Sequence, residues 1–124
     1  MYTPAHFSES DQAEIDRICA RHPLAVLVAQ TAQGLVANHI PLLRDGADFI
    51  GHIALNNDLH VGFDANTPIL AIFTAAEGYV SPNWYPSKAE THKAVPTWNY
   101  QAVHVHGTLK FTHEDAQKRR VLNQ

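Results

Sequence analysis

The spacing of the strand-forming runs constrains the fold most. Leu24 to Ala29, Leu35 to Leu43 and Asp48 to Ala54 follow one another with only a few turn-forming residues between them. A parallel crossover needs a dozen or more residues, so connections this short join antiparallel strands. Gln33-Gly34 turns the chain after the first run, and Asp45-Gly46 is a hairpin signal. Pro41 places the second run at an edge or a bulge, because proline cannot donate to a ladder. Pro68 to Thr74, rich in Ile, Leu and Phe, reads as a further buried strand. Tyr100 to Phe111 closes the series, with Ala102, His104, His106 and Thr108 on one face and Val103, Val105, Gly107 and Leu109 on the other.

Helices flank this series. Ser8 and Asp11 form a capping-box pattern ahead of a helix from about Glu9 to Arg21, whose apolar stripe is Ile15, Ile18 and Cys19. His22-Pro23 stops it, since the residue before proline is pushed out of the α region. Thr112 and Asp115 make a second capping-box pattern near the end. The expected fold is α+β, mainly β: a small antiparallel barrel with flanking helices, its 124 residues forming a single domain.

Glu77 to Asn99 reads as an insertion between two strands. It carries Pro82, Pro86 and Pro96 with Tyr79, Trp84, Tyr85 and Trp98, and so many rings need a surface to cover. Lys88 adds a cation, and Ser81, Asn83 and Ser87 add polar groups. Such a set suits stacking on a planar ring and holding a phosphate or carboxylate; it equally suits a self-packed Ω-loop or a flap at a dimer interface. A second constellation is Gly51-His52-Ile53-Ala54-Leu55-Asn56-Asn57. Glycine permits close approach of a ligand, and His and Asn offer donors to an anionic oxygen. The same residues also spell a strand running into an Asn-rich turn.

Charge and cysteine usage exclude several classes. The formal net charge is −3, and the one basic cluster is Lys118-Arg119-Arg120, so charge disfavours direct DNA binding. Charged residues make up 17%, below the usual ~25%, which favours surface hidden in a homodimer. A lone Cys19 forms no intramolecular disulfide, and its place on the helix stripe reads as a small buried hydrophobe. The opening residues lack the features of a signal peptide, and no apolar run approaches the ~18 residues a membrane helix needs, so a cytoplasmic protein is expected. Nine histidines include His104 and His106 pointing the same way on one strand. Without an HExxH, CxxC or i, i+4 His pattern, no metal site is expected.

The stretch Asn38-His39-Ile40-Pro41-Leu42-Leu43, the Gly51 to Asn57 turn, and the block from Ser81-Pro82-Asn83-Trp84-Tyr85 through Val95-Pro96-Thr97-Trp98-Asn99-Tyr100 to Val103-His104-Val105-His106-Gly107 together resemble the PaiB-like family. The likeness runs from Met1 to about His113. It implies an FMN-binding split barrel and a link to negative transcriptional regulation of sporulation and protease genes. Regulation would then act indirectly or with a partner, since no helix-turn-helix is apparent. It also implies a homodimer with FMN between two barrels. By analogy His52, Ala54 and Asn57, with His39 nearby, lie at the cofactor, and Trp84, Lys88 and Trp98 belong to a flap over the pocket or across the dimer seam. A flavin-dependent oxidoreductase, or a flavin-free small-molecule binding module, on the same barrel are the rival readings. Leu55 and Asn56 carry no charge where a basic residue would hold the phosphate, leaving Lys88 or Arg44 to compensate. Longer members of the family continue past this point, so a C-terminal segment is expected to be missing here.

Overall fold

The computed structural model describes residues 1–60, 66–114 and 121. Its first helix, α1 (Gln12–Arg21), begins three residues later than the capping-box pattern indicates. Asp11 itself is the N-cap, its carboxylate accepting from the Ala13 amide at 2.9 Å, while Glu9 accepts from the amides of Ser10 and Asp11. A carboxylate two residues before the first unpaired amide competes better than a hydroxyl at Ser8. Ile18 and Cys19 are the buried part of the stripe.

Strands β1 (Leu24–Thr31) and β2 (Gly34–Pro41) form a hairpin whose turn ends on Gly34 at φ 107°. Leu42 interrupts the second predicted run, donating its amide to the Pro23 carbonyl at 2.8 Å. A short ribbon follows, β3 (Leu43–Asp45) and β4 (Asp48–Ile50), with Gly46 at φ 63° opening its two-residue turn. Residues 51–54, expected to continue as strand, are irregular.

The long strands β5 (Pro68–Val80) and β6 (Thr97–Thr108) complete an antiparallel sheet of order β2-β1-β5-β6. Pro41 thus lies on an edge strand, as its chemistry requires. The expected barrel is not closed among the described residues: β2 and β6 are opposite edges, and the β3-β4 ribbon is a separate two-stranded sheet. With 51–54 irregular, nothing extends the ribbon far enough to join the edges. The second predicted helix, from Asp115 onward, falls almost wholly outside the described residues.

Alternation gives the sheet two unlike faces. On the inner face, Ala25, Leu27 and Ala29 of β1, Ile40 of β2 and Ile69, Ala71 and Phe73 of β5 form the core. Cys19, Leu42 and Leu59 complete it, and Phe49, Ile53, Val103, Val105, Leu109 and Phe111 pack against it. Phe73 is fully buried, with the Phe49 ring 5.2 Å away. Arg44 lies over Phe49 at 5.1 Å and reaches Asp16 of α1 at 3.9 Å, tying ribbon to helix. The outer face is described below, because it bears on function.

Candidate functional site

Gly51 follows β4 and is squeezed by its own chain. A Cβ there would lie 2.6 Å from the Pro41 carbonyl oxygen and 2.8 Å from Leu42 Cδ2. The close approach that this glycine permits is therefore between two backbones. Asn57 closes the following turn, its amide donating to the Ala54 carbonyl at 2.9 Å. Its side chain Nδ2 donates to Asn38 Oδ1 of β2 at 3.0 Å, and its Oδ1 accepts from the Leu59 amide at 2.9 Å. That last bond is an Asx turn into the short 3-10 helix Asp58–His60, which buries Leu59. His52 and Ala54 are exposed on the same segment.

Asn38 did not stand out in the sequence. The signal was its parity: it sits between Val36 and Ile40 on the inward side of β2, where a polar side chain needs a partner. His39 alternates to the outer face, so it lies on the other side of the sheet from the Asn38–Asn57 bond.

The aromatic block is more regular than an insertion. Glu77 to Val80 and Thr97 to Tyr100 pair as continuations of β5 and β6, carrying a two-stranded arm past the end of β1. A bulge between Thr74 and Glu77 precedes it. Since β6 alternates without interruption, Trp98 and Tyr100 continue the face of Ala102, His104 and His106. The extra residue on β5 brings Glu77 opposite Tyr100 and Tyr79 opposite Trp98. The Trp98 indole donates to the Glu77 carboxylate at 3.2 Å. Tyr79 lies 6.3 Å from Trp98 and 6.5 Å from Trp84, ring centre to ring centre, both tilted or edge-on. Trp84 and Trp98 remain 68% and 53% exposed. At the arm's tip, Ser81 caps the 3-10 turn Pro82–Trp84, and the one-turn helix α2 (Lys88–Thr91) ends on His92 at φ 53°. The Lys88 ammonium donates to Asn83 Oδ1 and keeps further donors.

These two sets do not meet within one chain. Val26 pairs with both His39 and Ile72, and Tyr79 lies seven positions further along β5. At ~3.3 Å per residue, the aromatic cluster stands roughly 20 Å beyond the row of His39. The arm itself bears only shallow depressions, one at the bulge beside Tyr100 and one between Tyr85 and Val95.

The outer face carries Leu24, Val26 and Val28 of β1, Leu35, Ala37 and His39 of β2, Leu70 and Ile72 of β5, and Ala102, His104 and His106 of β6. Pairing aligns His39, Val26, Ile72 and His104 in one row and Ala37, Val28, Leu70 and His106 in the next. Leu24 and Leu35 are 56% and 74% exposed. Burial holds the His104 midpoint below the ordinary imidazole value, helped by the terminal amine and His106. Burial pushes the Cys19 thiol up, Asp16 adding to this and Arg44 opposing it. Among the described residues, no three His, Cys, Asp or Glu side chains gather as a metal site, and no helix is long and apolar enough to cross a membrane.

Residues 1–124 match the protein family described as "Putative FMN-binding domain". The chain is similar to a Saccharomyces cerevisiae protein called "Uncharacterized protein YKL070W", with 31% identity over 93% of this chain and 81% of that one. It is also similar to "Protease synthase and sporulation protein PAI 2" of Bacillus subtilis, with 31% identity over 93% of this chain. The match spans 55% of the Bacillus protein's length.

Proposed function

Because the chain belongs to the PaiB-like family of FMN-binding domains, we propose that it binds FMN as a split-barrel homodimer, the flavin lying between two copies. The observation that carries this reading is the ~20 Å gap between the strand–turn residues and the aromatic arm. Neither set encloses a ligand alone, and a second copy supplies to each the half it lacks. In the dimer, His52, Ala54 and Asn57 of one copy line the cofactor and Trp84, Lys88 and Trp98 of the other cover it, while His39, on the opposite face of the sheet, stands apart from them.

The donor set suits FMN. Exposed indoles, with Trp98 held by Glu77, offer faces to a planar ring. Lys88 has donors left after its bond to Asn83, which suits a phosphate, and the exposed His52 adds a ring N–H donor. FMN, when bound, supplies reversible uptake of electrons or hydride, while this chain's residues orient the ring and exclude water from it.

A second reading, a flavin-free binding module, draws on the engagement of Asn57 with Asn38 and Leu59 and on the uncharged Leu55-Asn56. For biological role we carry forward what the family resemblance implies: a cytoplasmic negative regulator of transcription, acting indirectly or through a partner. A net charge of −3 supports the indirect route over direct DNA contact.

FMN titration of the purified chain tests the proposal. Flavin fluorescence is expected to be quenched with saturation, and Trp98→Ala to weaken binding at least tenfold. Colourless protein that leaves FMN fluorescence unchanged would leave the flavin-free module standing.

A further inference from the structure

The outer face is unusual in what it lacks. Leu24, Val26, Val28 and Gln30, then Leu35, Ala37, His39 and Pro41, then Pro68, Leu70, Ile72 and Thr74, then Ala102, His104, His106 and Thr108 all project from it, and none is an acid, lysine or arginine. Among these sixteen residues three imidazoles are the titratable side chains; where the arm continues the face it adds Tyr79, Tyr100 and Glu77, whose carboxylate accepts from the Trp98 indole. Those packed about His104 are Ile72 on β5 and His106 on its own strand, with the amino terminus near enough to disfavour its protonation. No carboxylate of the described strands faces it. An apolar sheet face without charge is complementary to itself. With four strands ~4.8 Å apart and about eight residues long, its footprint is about 500 Å². A specific interface takes ~800 Å² per partner. The aromatic arm extends the same face and supplies the remainder, so a second copy of this chain is the occupant of matching size and polarity.

We propose that pairing of two copies across this face is gated by pH, a neutral His104 permitting it and its imidazolium form opposing it. The gate rests on the two-copy reading above. A protonated His104 brought into the seam loses its water and meets no carboxylate among the sixteen residues above, and each copy brings one. Any imidazole that must be neutral in the dimer releases its proton on association. Association is therefore strongest above the His104 midpoint, which lies below the ordinary imidazole value, and weakens as pH falls through it. One unit below that midpoint each such group weakens pairing about tenfold, so the two copies of His104 alone give about 100-fold.

Sedimentation velocity of the full chain at pH 8 and pH 5.5, with circular dichroism confirming a folded protein at both, tests this. The dimer dissociation constant is expected to rise at pH 5.5, by less than the about 100-fold that two unshifted imidazoles would give, and His104→Gln to remove that rise. Equal dissociation constants at both pH values would overturn the gate and leave the dimer standing. A monomer throughout would overturn both. A His104→Gln variant with the full wild-type response would overturn the assignment to this imidazole. Should that variant not fold, the His104 ring signal of the wild-type chain decides: its midpoint must fall as protein concentration rises through the dissociation constant, and an unchanged midpoint overturns the gate.

Discussion

Asn57 spends its side chain on two bonds, one to Asn38 across the β2 edge and one to the Leu59 amide. Each half-buried bond is worth about 1 kcal/mol, and removing one partner alone leaves the other amide unsatisfied. Asn38→Ala and Asn57→Ala are each expected to cost about 1–2 kcal/mol in urea unfolding. The double variant should cost less than their sum, because the bond they share is lost once. Cys19 invites a different measurement. Its thiol is 2% exposed and its ionisation is pushed up by burial, so the folded chain keeps the proton where an unfolded chain gives it up. Stability should be full below the unfolded thiol midpoint of ~8.5 and decline above it. Cys19→Ala should flatten that decline, as urea midpoints between pH 7.5 and 10 would reveal. Cys19 was legible as a buried hydrophobe from its place on the helix stripe. The Asn38–Asn57 pair was not, because the two lie nineteen positions apart and only the tertiary course of 51–57 brings them together.

Among the elements, the strands were legible where alternation or turn chemistry spoke, and the arm was not. Proline and tryptophan density from Glu77 to Asn99 reads as loop, yet Tyr79 and Trp98 are ladder partners. β-branched and aromatic residues favour strands wherever a partner is available, and here each arm strand is the other's partner. The stretch 51–54 erred in the opposite direction, its strand-like composition overridden by the tight approach of Gly51 to Pro41. Gly51→Ala should therefore destabilise by about 1–3 kcal/mol, since the obstacle is a backbone carbonyl rather than a side chain that can turn away. Thermal unfolding would measure it. In the arm, Glu77→Gln is expected to weaken the indole contact and shift Trp98 emission, with little change in the unfolding midpoint. A fluorescence comparison in a Trp84→Phe background isolates that ring.

At the scale of the whole molecule, an open sheet has two costs: exposed edges and an exposed apolar face. Both β2 and β6 are edges here, and the barrel expected from the sequence is not closed within the described residues. If the flavin lies between copies, a His52→Ala chain and a Trp98→Ala chain, each weak in FMN binding, should complement one another. Random mixing yields one intact seam in each mixed dimer, hence about a quarter of the wild-type sites. Equilibrium FMN titration of the mixture gives that number, and a mixture no better than its components would rule out sharing.

The bulge between Thr74 and Glu77 acts as a phase shift in the odd–even count of β5. Were the ladder to run on without the bulge, Ala76 and Gly78 would take up the stations of Glu77 and Tyr79. The indole of Trp98 would then be left opposite a glycine, with no acid to hold it. A one-residue offset in pairing therefore decides whether the molecule presents a cluster of rings or a lone one, and that choice is made before any side chain is altered.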